Sequence, residues 1–112
     1  ADVQVKHYYM VNPEVDIATS AKWAQHQGAD AVIVTGCSTG TETASSDLEK
    51  VKNSISIPVA VGSGVTEKNI AEKMQIADIL IVGTTLRRNG SMAEPIDEAQ
   101  ARALLRAAGR EV

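Results

Sequence analysis

The chain has 112 residues, 44% apolar and 22% charged, with a net charge of −3, a single cysteine and no phenylalanine. These values suit one globular domain with an aliphatic core, and they leave no intramolecular disulfide, so a reducing cytoplasm is the expected compartment. No stripe of clustered Lys and Arg exists to neutralise a nucleic-acid backbone, no apolar run approaches the roughly 18 residues of a membrane span, and no signal-peptide layout opens the sequence.

Four short apolar runs alternate with four helical stretches. The first run covers residues 3–9, where Val3 and Val5 share one face and Gln4 and Lys6 the other. In a barrel the polar set points inward, which carries Lys6 toward the ligand end as an acid–base or electrostatic candidate. On an open sheet the same lysine is an edge residue in solvent that discourages further pairing. His7 reads as a packed histidine and His26 as a surface one, so they make no metal pair, and neither a metal site nor a cofactor is expected. Residues 16–27 read as a helix, with Ala18, Ala21, Trp23 and Ala24 supplying its packing face and Gly28 ending it.

The second run, residues 31–35, leads into Thr35-Gly36-Cys37-Ser38-Thr39-Gly40-Thr41-Glu42-Thr43. This loop is small and hydroxyl-rich, suited to wrapping a polar ligand or to serving as a polar connection. It is no P-loop, since Thr41 and Glu42 stand where Lys and Ser/Thr belong. Cys37 has no base beside it. Ser46-Asp47-Leu48-Glu49 fits a capping box that opens the second helix.

The third run, residues 57–61, is followed by Gly62-Ser63-Gly64-Val65, with Thr66 placed to cap a helix whose apolar positions are Ile70, Met74 and Ala77. The fourth run, residues 79–82, is followed by Gly83-Thr84-Thr85-Leu86. Asp97-Glu98-Ala99-Gln100 is a further capping box before an Ala-rich helix with Leu104 and Leu105, and Gly109 lies near its end. An Ala-Asp pair precedes both the second and the fourth run, at Asp30 and Asp78. There the carboxylate can satisfy backbone donors at the strand entrance.

Repeated βα units imply parallel strands joined by right-handed crossovers, in either a small open parallel sheet or part of a (β/α)₈ barrel. In both, ligands bind at the C-terminal ends of the strands. Either glycine loop alone is explained as a tight turn. The two in consecutive units favour an anion site, with Gly62, Ser63, Gly64, Gly83 and Thr84 binding phosphate and Thr35, Gly36 and Thr39 lining the pocket.

These residues carry a resemblance. Val5-Lys6-His7, then Val34-Thr35-Gly36 with Thr39-Gly40, then residues 57–66, then Ala77-Asp78 and Ile81-Val82-Gly83-Thr84 are similar in order and spacing to the BtpA family. The resemblance implies a phosphate-binding (β/α)₈ barrel of the ribulose-phosphate type, of which residues 1–112 match units five to eight as one half-barrel domain. It also implies a link to photosystem I biogenesis, without defining a reaction or establishing that the chain is an enzyme. Two readings follow: a half-barrel carrying the subsite for a phosphorylated small molecule (sugar phosphate or nucleotide), or a non-catalytic assembly or binding module. Four strands with both edges open further predict a homodimer.

Overall fold

The computed structural model describes residues 1–5, 10–36 and 42–111. Among them lie β1 (Asp2–Val3), α1 (Ile17–His26), β2 (Val32–Val34), α2 (Ser45–Ser54), β3 (Val59–Val61), α3 (Ile70–Ile76), β4 (Ile79–Leu80) and α4 (Glu98–Ala107). Two 3₁₀ turns, Thr84–Leu86 and Arg88–Gly90, separate β4 from α4. The strands form one parallel sheet in the order β1-β2-β3-β4. The fold is therefore α/β. With a strand order that never reverses, right-handed crossovers set every helix on the same face.

Burial agrees with that one-sided arrangement. Val32 pairs with Val59, and Val34 stands between Val3 and Val61. These five valines join Ile17, Ala21, Leu48, Val51, Ile70, Ala77 and Leu104 in a single core. The alternate row, Asp2–Ile33–Ala60–Ile79, follows from the same register and takes no part in that core. Ile79 is 44% exposed and Ile81 47%. Parallel sheets covered on both faces keep such isoleucines dry; here the second face is open at its β4 margin, while Ala60 in the middle of the same row is buried.

The helix ends follow the sequence unevenly. Asp16 caps α1 by accepting the Thr19 N–H at 2.8 Å, and Gly28, at φ +94°, closes its C-terminus. Asp97 caps α4 through the Gln100 N–H at 3.1 Å, and Gly109 at φ +73° ends it. The expected box at Ser46 does not form. Helix α2 starts one residue earlier, at Ser45, with Ala44 in the cap position and no side-chain cap bond. Ser46 is thus already inside the first turn. Thr66 heads the turn into α3, its carbonyl accepting from Asn69 and Ile70, but its hydroxyl does not cap the helix: the N-cap of α3 is Asn69, with no side-chain cap bond, and the Asn69 Oδ1 instead takes the Thr66 N–H at 2.8 Å.

Two helix faces differ from expectation. Trp23 is 59% exposed, while Ile17 and Ala21 are the buried residues of α1. On α3 the buried stripe is Ile70, Lys73 and Ala77, and Met74 is 38% exposed. The spacing i, i+3, i+7 is as helical as i, i+4, i+7, so the period was right and the rotation was not. Asp78 does what its place before a strand suggested. Its Oδ2 accepts the Val59 N–H at 2.9 Å and the Lys52 ammonium at 2.6 Å.

Candidate functional site

Strand alternation decides what each loop residue can reach. Residues 33, 35, 60 and 62 share the open face, and a Cβ placed on Gly62 would stand 2.5 Å from Thr35 Cγ2 and 2.7 Å from Ile33 Cγ2. Glycine at 62 therefore permits a close approach of β2 and β3 at their C-terminal ends. The Thr35 hydroxyl oxygen is buried there and has no hydrogen-bond partner among the described residues.

Ser63 follows Val59 and Val61 on the helix side and is buried. Its Oγ accepts the Gly36 N–H at 2.7 Å, which joins the loops after β2 and β3. Thr43, fully buried, places its Oγ1 3.0 Å from Ser63 O and 3.4 Å from Val34 O. Gly64 adopts φ +72°, a left-handed conformation that glycine takes without strain. Asn69 Nδ2 donates to Gly64 O at 2.9 Å, so this one side chain clamps the turn from Gly64 to Thr66.

The loop after β4 joins the same cluster. Thr85 Oγ1 donates to Val65 O at 2.6 Å. Gly83 and Thr84 immediately precede it, Gly83 exposed and Thr84 half-buried. The Gln100 amide, in the orientation that satisfies its neighbours, donates to Arg87 O at 2.7 Å and Thr85 O at 2.9 Å, which ties α4 to the same loop.

Of the residues singled out from sequence, the structure brings Gly36 and Ser63 into direct contact and sets Thr35 against Gly62. It joins the segment bearing Gly64 to the one bearing Gly83 and Thr84 through Thr85. Lys6 and Thr39 lie outside the described residues. Before them, Gln4 has φ +52°, and its amide turns toward α1, donating to Val15 O at 3.0 Å and Ser20 Oγ at 3.3 Å.

A separate cleft of about 450 Å³ opens beside the loops, lined by Thr66, Glu67, Lys68, Thr85, Arg87, Gly90 and Gln100. None of the residues read from sequence as binding phosphate or lining its pocket lines it. No group of three or more His, Cys, Asp or Glu among the described residues is placed to hold a metal ion.

Sequence reasoning missed Lys73. It is 1% exposed, and its Nζ lies 2.6 Å from Thr43 O, 2.9 Å from Ser45 Oγ and 3.0 Å from Glu42 Oε1. The available signal was its position, three residues after Ile70 and four before Ala77, on the stripe that became buried.

The BtpA family model matches residues 1–110. The photosystem I biogenesis protein BtpA of Synechocystis is 35% identical over 109 residues, covering 96% of this chain and 38% of that protein. An uncharacterized protein of Pyrococcus furiosus is 38% identical over 107 residues, covering 95% of this chain and 40% of its relative. An uncharacterized mitochondrial protein of Caenorhabditis elegans is 33% identical over 100 residues, covering 88% and 36%. The chain thus spans about two fifths of the length of these relatives, and by the extent of the family match it belongs to the BtpA family.

Proposed function

We propose that this chain is the C-terminal half of a (β/α)₈ barrel and carries the subsite that holds the phosphate of a phosphorylated small molecule, a sugar phosphate or a nucleotide. The observation that supports it is the stitching of three consecutive loops at one end of the sheet, Gly36 to Ser63 at 2.7 Å and Thr85 to Val65 at 2.6 Å. Ligands of parallel α/β folds bind at that end. Gly64, Gly83 and Thr84 offer backbone at close range, Gly62, whose N–H is donated to Val34 O at 2.8 Å, lets β2 and β3 approach beneath them, Thr35 offers a buried hydroxyl, and Ser63 contributes by holding Gly36. The expected compartment is the cytoplasm.

The reading is tested by thermal unfolding with phosphorylated ligands. A ligand present at a hundred times its Kd stabilises the fold by about 2.7 kcal/mol. Gly64→Val places a β-branched residue at φ +72° and should abolish the ligand-induced shift, whatever it does to the unliganded protein. A melting temperature indifferent to millimolar phosphate compounds would sink the proposal.

A second reading, a non-catalytic assembly module, draws on the printed name of the Synechocystis relative. Matches in an archaeon and a nematode speak for a role wider than photosystem assembly. Capture of a protein partner that survives both Lys6→Ala and Gly64→Val would favour this second reading. Under either, the open face and the edge at Ile79 and Ile81 call for cover, and a second copy of the chain would supply four more strands. A native mass spectrum near neutral pH tests the homodimer.

A further inference from the structure

We propose that Lys73 is a positioning residue, which sets the Gly36–Ser63 contact from beneath and through it the geometry of the candidate anion site. Its consequence for ligand binding rests on the phosphate reading above; its consequence for loop geometry does not.

The warrant is a relay of hydrogen bonds. An ammonium has three donors, and that of Lys73 has three oxygens within 3.0 Å: Glu42 Oε1, Thr43 O and Ser45 Oγ. Glu42 and Thr43 belong to the segment between β2 and α2 and Ser45 opens α2, and none belongs to the helix that carries the lysine. Ser45 Oγ also donates to Glu72 Oε1 at 2.5 Å, so α3 grips this segment at two consecutive residues. The constraint passes onward through Thr43, whose hydroxyl meets Ser63 O at 3.0 Å, and Ser63 Oγ in turn receives the Gly36 N–H at 2.7 Å. Thr43 and Lys73 are at 0% and 1% exposure, so neither can exchange a lost partner for bulk water without local opening. Because its donors are engaged and it is buried, Lys73 acts on a ligand only by way of these loops.

Three variants test this, each first checked for a folded amide spectrum. Lys73→Met removes the ammonium and keeps the apolar stem. Thr43→Val removes the relay hydroxyl at constant shape, and Thr43→Ser restores it. Two signals are read by amide NMR: the resonance of Gly36, whose N–H is hydrogen-bonded to Ser63, and a titration with inorganic phosphate. The expected result is an upfield move of the Gly36 proton and about a tenfold weaker phosphate response in Lys73→Met and Thr43→Val, with Thr43→Ser close to the parent; tenfold corresponds to about 1.4 kcal/mol. If Lys73→Met does not fold, Thr43→Val and Thr43→Ser alone decide. An unmoved Gly36 resonance in the valine or methionine variant overturns the proposal. A Gly36 shift with phosphate affinity unchanged overturns its functional half and leaves the phosphate reading intact. A parent protein that ignores phosphate, together with a Gly36 shift in the variants, supports the positioning and counts against the phosphate reading instead.

Discussion

Gly62→Ala is the most direct probe of how β2 and β3 meet. The added Cβ would lie 2.5 Å from Thr35 Cγ2, 2.7 Å from Ile33 Cγ2 and 3.4 Å from Val34 O. Ordinary carbon–carbon contact begins near 3.5 Å, so the two methyl groups must give way by about 1 Å. Both sit on β-branched side chains with few rotamers, so relief has to come from the strands rather than from a rotated side chain. Overpacking of this kind costs about 1–3 kcal/mol, while the restriction of the unfolded chain by alanine returns about 0.4–1 kcal/mol. The net is about 1–2 kcal/mol of lost stability, a fall in Tm of about 4–8 °C for a domain of this size. Urea unfolding followed by circular dichroism measures it. Thr35→Ser deletes one of the two methyl groups, and in that background the alanine should cost about 0.5–1 kcal/mol less. An alanine that leaves the urea midpoint unmoved, or that costs the same in both backgrounds, would refute the reasoning.

Two further expectations concern charge and capping. The Lys52 ammonium, and after it the Val59 N–H, holds the Asp78 carboxyl below its usual value of 3.8. A lowered folded pKa stabilises above the unfolded value and is lost as pH falls through the folded one, so Asp78→Asn should be less stable than the parent at about pH 6, with the gap closing below pH 3.8. A gap that widens on acidification, in denaturant curves taken across pH, contradicts this. Asp97→Ala should cost about 1 kcal/mol, because it removes the acceptor of the Gln100 N–H. Ser46→Ala should stay within about 0.5 kcal/mol, since that hydroxyl is not the cap of α2. Thermal or urea unfolding of the pair separates them, and equal costs would mean the cap of α2 has been misread.

What was legible in the sequence is what a single strand or turn determines. The aliphatic runs, the glycines at 28 and 109 and the carboxylate at 97 each act through their immediate neighbours, and Asp78 meets a backbone donor at the strand entrance as its place before the strand implied, while the helix read from Asp16 begins at Ile17 with Asp16 as its cap. The α/β class follows from their alternation. What was not legible depends on rotation and on distant partners. Lys73 and Met74 differ by one position on α3, and only the packing against the segment before α2 selects the lysine as the buried one. The same applies to Ser63. As part of a glycine loop it reads as a ligand-facing hydroxyl, yet alternation from Val61 turns it to the helix side, where Gly36 meets it. At the N-terminus the alternation assumed through Gln4 fails at a positive φ that no residue type there announces.

The strand order carries a consequence for motion. Among the described residues, strands β2 and β3 each have a ladder on both sides, whereas β4 has one only on the side of β3. Backbone amides of an interior strand exchange with solvent only in the larger opening events, and those of an edge strand already in local fraying. The loop after β3 therefore hangs from the slow-opening centre of the sheet and the loop after β4 from its fast margin. A ligand bridging the two would be gripped by one rigid jaw and one mobile one, and its binding should slow hydrogen exchange most in residues 81–86.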